Sequence, residues 1–257
     1  MERRLDGKVA IVTGAARGVG AASAARLAQD GCAVVCVDRD EAGVRAVAER
    51  IEAAGGRARA LAADVATADG NRAAVACAGD AFGGLDVLHA NAAVQRVARL
   101  EETGEDDWGQ LLRTNLHGVG LGVEHALPAL RARGGGSVII TASVLGIVGD
   151  PDLPAYGATK GGLRALCRSL AAAYGPENVR VTTICPGDVE TPMLEEFFER
   201  QPDPSEARRR MLERYPLRRF AAPRDVANVV AFLASDDAAY LTGIDVCVDG
   251  GLLAQVY

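Results

Sequence analysis

The sequence predicts an α/β protein, a doubly wound parallel sheet of about seven strands with helices on both faces, in one domain spanning 1–257. Three observations carry that expectation. Short β-branched apolar runs alternate with helical patterns of ten or more residues, the signature of βαβ units. A glycine-rich turn, Gly14 to Gly20, falls between the first such run and the first helical pattern, where open α/β sheets hold ligands. The 30 glycines and 49% hydrophobic content suit a chain with many tight turns that buries a large core without staples.

Each element follows from local chemistry. Lys8–Thr13 is the first apolar run, and the helical pattern after the glycine turn continues to Asp30, where Gly31 supplies the left-handed residue that ends it. Ala33–Asp38 predicts the second strand, and Asp40–Ala54 the second helix before Gly55-Gly56. Arg57–Asp64, Asp86–Asn91, Ser137–Ala142 and Val179–Cys185 are further strands, the first of these Ala-rich and weak. Helices are expected over 67–81, 105–132, 155–174 and 223–234, with a last strand at Ile244–Val248. Within 188–222, Pro192, Pro202, Pro204 and Pro216 interrupt charged helical pieces, which reads as an inserted, mobile substrate loop.

Composition excludes several classes. No run approaches 18 apolar residues, so no transmembrane helix is expected, and Met1-Glu2-Arg3-Arg4 leads to a strand pattern instead of a secretory signal. A net charge of −6 argues against a nucleic-acid surface, and Arg208-Arg209-Arg210 lies among glutamates on a solvated helix. The six cysteines (Cys32, Cys36, Cys77, Cys167, Cys185, Cys247) include no CxxC pair and mostly sit in apolar runs, as reduced thiols of a cytoplasmic protein would. His89, His117 and His125 lack metal spacing and read as satisfied structural residues; no metal is expected.

Thr13-Gly14-Ala15-Ala16-Arg17-Gly18-Val19-Gly20 has the spacing G-x-x-x-G-x-G. In a Rossmann-like sheet, such glycines let the backbone approach a pyrophosphate seated at a helix N-terminus. Asp38, 18 residues after Gly20, is placed to accept from adenosine ribose hydroxyls and to repel a 2′-phosphate, which favours NAD. Arg17 and Arg39 keep NADP as the alternative, because an arginine there pairs with that phosphate. Tyr156 and Lys160 are four residues apart, on one helical face, with Cβ atoms roughly 5–6 Å apart. An ammonium beside a phenol favours the phenolate, so a tyrosine pKa lowered from its reference of about 10 is expected.

With these residues in this order, the chain resembles the short-chain dehydrogenase/reductase family over nearly its whole length. The turn from Thr13 to Gly20 matches the family's TGxxxGxG, and Tyr156/Lys160 its YxxxK. The resemblance implies a nicotinamide dinucleotide held by Gly14, Arg17, Gly18, Val19, Gly20, Asp38, Arg39, Asp64, Val65, Asn91, Tyr156, Lys160, Pro186, Gly187, Val189 and Thr191. It implies catalysis by Asn115, Ser143, Tyr156 and Lys160: Tyr156 moving the alcohol proton, Ser143 binding the substrate oxygen, Lys160 tuning the phenol and holding ribose hydroxyls, and Asn115 holding a water near the lysine. Hydride passes between the nicotinamide and a secondary alcohol, a diol or the corresponding ketone. A 3-oxoacyl thioester reductase of the same family, or a dinucleotide-sensing scaffold without turnover, is the alternative.

One stretch departs from the family pattern. The usual NNAG reads Ala90-Asn91-Ala92-Ala93, so an amide that ties neighbouring strands is missing and a methyl replaces a glycine near the cofactor. That methyl costs affinity if the backbone needs positive φ. On the catalytic helix, Ala158, Gly161, Gly162, Ala165, Ser169 and Ala172 lie opposite Tyr156, Lys160, Leu163, Cys167 and Leu170. A face of small residues without charge predicts a subunit interface, in keeping with the tetramers common in the resembling family. The substrate pocket is expected near Val94-Gln95, Val144–Leu153 and Asp188–Tyr215, with Met193, Leu194, Phe197 and Phe198 either a lid or a packing face. Asp150 and Asp152 read as solvated loop residues, with a diol contact as the alternative.

Overall fold

The computed structural model describes residues 4–255, so the expectation drawn from Met1 to Arg4 falls almost wholly outside the described residues. Strands β1 (Val9–Thr13), β2 (Ala33–Asp38), β3 (Arg57–Ala62), β4 (Val87–Ala90), β5 (Gly136–Thr141), β6 (Val179–Pro186) and β7 (Asp245–Val248) form a 7-stranded sheet in the order β3-β2-β1-β4-β5-β6-β7, every pair parallel. The order reverses between β1 and β4, which opens a crevice at the carboxyl ends of those strands.

The helices sort onto the two faces by their apolar stripes. Helices α1 (Gly18–Gln29), α2 (Glu41–Ala53) and α9 (Pro223–Ala234) pack on one face, through Leu27, Val47 and Val230. Helices α3 (Ala68–Phe82), α5 (Gly118–Ala132) and α6 (Pro154–Tyr174) pack on the other, through Ala78, Val123 and Leu163. Covered on both sides, β1, β4 and the first five residues of β2 are buried throughout, which explains why their sequences are apolar but for Thr13 and His89. Strand β3 is one of the two edges, and its alternating Arg57, Arg59 and alanines leave it half exposed. Among the described residues, no helix is long and apolar enough to cross a membrane.

The helix expected over 105–132 is not continuous. Helix α4 (Glu105–Leu111) passes into a π-helical turn, Leu112–His117, before α5 begins. There the Gly118 N–H donates to Arg113 O, five residues back, and the wider turn inserts one residue into the helical count. Within 188–222 the prolines start helices instead of only breaking them: α7 (Pro192–Glu199) and α8 (Pro204–Glu213) both begin on proline, and Asp203 caps α8 by accepting from Glu206 N–H. All six cysteines are free; Cys77 is half-buried and Cys247 exposed, so the reading of core thiols holds for Cys32, Cys36, Cys167 and Cys185.

Candidate active site

A cavity of about 510 Å³ runs along the carboxyl ends of the strands, from the β1–β4 crevice to the segment after β6. Its floor at one end is the turn between β1 and α1. A Cβ added at Gly14 would lie 2.8 Å from Ala92 Cα, and one at Gly20 would lie 2.0 Å from Gly14 O, so the turn closes only with glycine. Gly14 and Gly18 also take positive φ. The first turn of α1 carries no acidic side chain, and the Arg17 side chain does not cap it. Its open N–H groups therefore face the cavity as an anion cradle. These features fit a dinucleotide pyrophosphate.

The neighbouring strand end locks that cradle. Thr13 Oγ1 accepts from the main-chain N–H groups of Asn91 and Ala92 at 2.9 and 3.0 Å, and Asn91 Nδ2 donates to Thr13 O at 3.0 Å. Further out, Asp38 accepts from the Ala16 and Asp40 N–H groups, each at 3.1 Å, and forms no ion pair with Arg17 or Arg39 among the described residues. Arg17, Gly18, Val19, Asp38, Arg39, Asp64 and Val65 line this end, and Pro186, Gly187, Val189 and Thr191 line the opposite wall. Gly20 is buried in the first turn of α1 and is not among the lining residues.

Ser143, Tyr156 and Lys160 meet in the middle of the cavity. Ser143 follows β5, and its hydroxyl accepts from Leu145 N–H at 3.1 Å. Tyr156 and Lys160 lie on the buried face of α6, with Lys160 Nζ 5.4 Å from the phenol ring centre and donating to Thr141 O at 2.7 Å. The direction of the phenol's shift differs from the expectation. Burial raises the Tyr156 pKa, and the Asp188 charge adds to the rise; the hydrogen bond from Ser143 opposes it. Burial also lowers Lys160 to about 8. Desolvation of both groups therefore outweighs the pairing that their spacing predicts.

Asn115 does not reach the cavity. Held by the π-helical turn, its Oδ1 accepts from Val94 N–H at 2.8 Å, and its Nδ2 donates to Val94 O at 2.9 Å and to Thr159 Oγ1 at 3.2 Å. The side chain thus staples the loop after β4 to α6, with both amide hydrogens engaged.

The departure at Ala90 and Ala93 is absorbed. Ala93 keeps an ordinary backbone, since the positive-φ residues other than glycine among those described are Asn178 and Arg218. The strand tie missing at Ala90 comes from its two neighbours. Thr141 Oγ1 donates to Asn91 Oδ1 at 3.2 Å and lies 3.0 Å from His89 Nε2. With the Thr141 proton committed to Asn91, His89 must donate from Nε2. That assigns the tautomer and leaves Nδ1 buried without a partner. Burial lowers His89 to about 3, in agreement with a neutral ring. His89 is therefore half satisfied, and sequence reasoning missed its link to the residue whose carbonyl holds Lys160.

Over the far end lies a cover built from α7, α8 and the loop that follows. Leu194, Phe197 and Phe198 are buried with Leu153, Tyr156, Tyr215 and Phe220; Leu194 and Phe197 also line the cavity beside Met193, so the segment both packs and faces the site. Asp150 also lines the cavity, while its Oδ1 accepts from Asp152 N–H at 2.8 Å. Asp152 stands 3.8 Å from Arg99. Among the described residues, no group of three or more His, Cys, Asp or Glu side chains is arranged to hold a metal ion.

Residues 14–253 match the family model described as Enoyl-(Acyl carrier protein) reductase. The chain is 35% identical over 256 residues to cyclohexanol dehydrogenase of Acinetobacter sp., covering 99% of this chain and 98% of that one. It is 36% identical over 251 residues to 2,5-dichloro-2,5-cyclohexadiene-1,4-diol dehydrogenase of Sphingobium indicum, covering 98% of each. The crystal structure of levodione reductase superimposes with a TM-score of 0.94 at 33% identity, over 99% of this chain and 100% of that one.

Proposed function

The chain belongs to the short-chain dehydrogenase/reductase family and is an oxidoreductase of secondary alcohols and ketones; within that class we propose a dehydrogenase that uses NAD and acts on a secondary alcohol or diol. The observation that carries this reading is one cavity with a glycine-built anion cradle at one end and Ser143, Tyr156 and Lys160 at its centre.

Bound in the cradle, a nicotinamide dinucleotide supplies hydride chemistry and, oxidised, a positive charge beside the phenol. Tyr156 removes the alcohol proton in oxidation and returns it in reduction. Ser143 donates to the substrate oxygen and stabilises developing alkoxide charge. Lys160 holds ribose hydroxyls and, with that positive charge, offsets the burial that raises Tyr156. Asn115 fixes the wall through Val94 and Thr159, so a water on a proton path beside Lys160 would be met by main-chain atoms instead of its amide. Asp38, unpaired with Arg17 or Arg39, supports NAD over NADP by repelling a 2′-phosphate.

The exposed Ala158, Ala165, Ser169 and Ala172 on α6 support assembly of copies through that helix, as a tetramer. Six free cysteines support a reducing, cytoplasmic setting. The description of the matching family model favours a second reading, reduction of an acyl thioester. Absorbance at the reduced-nicotinamide band separates the two. Secondary alcohols and diols are expected to turn over with NAD at least tenfold better than with NADP. Turnover of 3-oxoacyl thioesters with NADPH alone would replace this reading.

A further inference from the structure

Asp188 is a polar wall of the cavity for which the hydride chemistry gives no role. It follows the Pro186-Gly187 turn at the end of β6 and lines the cavity with Ser143, Tyr156 and Asp150. Its carboxylate is held rigidly. The phenol of Tyr215, 1% exposed, donates to Asp188 Oδ2 at 2.6 Å, and the Tyr215 hydroxyl oxygen accepts from the Asp188 main-chain N–H at 2.7 Å. That closed pair joins the cover to the sheet and occupies the Tyr215 hydroxyl. Among the described residues no donor reaches Asp188 Oδ1, and this oxygen is not among the sealed, unpartnered atoms, so it opens on the cavity.

One carboxylate oxygen is thus fixed by the protein and the other is presented to whatever fills the cavity. A largely desolvated acceptor without a donor is costly, so the site favours a ligand that brings one. Asp188 and Tyr156 line the same cavity, so one small molecule can face both side chains. Asp150 and Glu196 line the same cavity as Asp188, with Arg214 also in its wall and Lys160 at its centre bonded to Thr141 O. A substrate carboxylate meets repulsion there, whereas a hydroxyl donor meets an oriented acceptor.

We propose that Asp188, braced by Tyr215, determines specificity by accepting a hydrogen bond from a second hydroxyl of the substrate, selecting diols over mono-alcohols and over hydroxy acids. The proposal rests on the alcohol dehydrogenase reading above and deepens it.

The test compares kcat/KM for the isomeric cyclohexanediols, cyclohexanol and a hydroxycyclohexanecarboxylate in the wild type, Asp188→Asn and Tyr215→Phe. Asparagine keeps an acceptor for Tyr215 but removes the charge offered to the substrate. The expected result is a wild-type preference for at least one diol, with the diol-to-cyclohexanol ratio falling roughly 10- to 100-fold in Asp188→Asn, chiefly through KM. Tyr215→Phe lowers the ratio less, since it loosens the carboxylate without removing it. A wild type that prefers cyclohexanol or the hydroxy acid overturns the proposal, as does equal loss on diol and mono-alcohol in Asp188→Asn. Absence of turnover on every alcohol defeats the dehydrogenase reading instead. Calorimetric titration of the same compounds into both proteins then reads the ratio from binding, with the same two outcomes.

Discussion

At the β1–β4 end of the cavity the chain meets itself through main-chain atoms, and under α7 and α8 it meets itself through rings and charges. In the cradle, the turn holding Gly14, Gly18 and Gly20 leaves no volume for a Cβ at Gly14 or Gly20, and Thr13 and Asn91 bond the backbone directly. In the cover, Phe198 and Tyr215 pack on Phe220 at 5.9 and 5.6 Å between ring centres. Arg208 lies 4.6 Å above Phe198, and α8 buries none of its residues. Backbone contacts permit almost no substitution, because any side chain added there displaces the strand beside it. Side-chain contacts permit many, because a ring or methylene can be exchanged at modest cost. The end that reads the dinucleotide is thus constrained, and the end that reads the substrate is free to diversify. Relatives named for cyclohexanol and for a chlorinated cyclohexadienediol fit that division.

The largest effect is expected where the two ends meet. Tyr156→Phe should lower kcat by about 10²–10⁴ while the dinucleotide dissociation constant, from fluorescence titration, moves less than about threefold. Comparable losses in both would show that chemistry and cradle are not separable. Next, Gly20→Ala forces a methyl against Gly14 O and should cost about 2–3 kcal/mol in calorimetric unfolding, together with most of the dinucleotide affinity. Normal affinity in that variant would mean that the turn adapts as readily as the cover. Phe198→Ala should raise KM for the alcohol about tenfold and speed amide exchange across 192–215, with cofactor affinity within about twofold.

Stability itself should carry a pH dependence. Burial lowers Lys160 from 10.5 to about 8, so between those values the unfolded chain binds more protons than the folded one. Lys160 therefore costs stability below pH 8, and that cost is relieved as pH rises from about 8 towards 10.5. Lys160→Met should be more stable than wild type at pH 7, by no more than about 3 kcal/mol, and the gap should close by pH 10. A gap independent of pH would assign the difference to packing alone.

The sheet and the cradle were legible because their rules are local. Ala33–Asp38 is apolar except at its end because both faces are covered, and Pro223–Ala234 begins on a proline and ends with its apolar pattern. Gly14, Arg17, Gly18 and Val19 of the glycine turn line one cavity with Tyr156 and Lys160. Three features were not legible. The π turn keeps the apolar rhythm on either side while adding one residue, so periodicity reads through it. The direction of the Tyr156 shift depends on burial, which the neighbouring lysine does not reveal. The His89–Thr141 and Asp188–Tyr215 pairs join residues 52 and 27 positions apart, and no spacing rule connects them.

The π turn at Leu112–His117 has a further consequence. One extra residue shifts the phase of a helix by about 100°, so the apolar stripes of α4 and α5 are offset by that angle. Deleting any one residue between 112 and 117 would restore an unbroken α-helix with a better internal hydrogen-bond ladder. It would also swing either α4 off the wall at Leu111 or Asn115 away from Val94 and Thr159. The backbone's own preference and the site's geometry therefore favour different chain lengths here. A frame-preserving loss of one codon would misplace the loop after β4 beside the reacting carbon while leaving the glycine turn between β1 and α1 untouched.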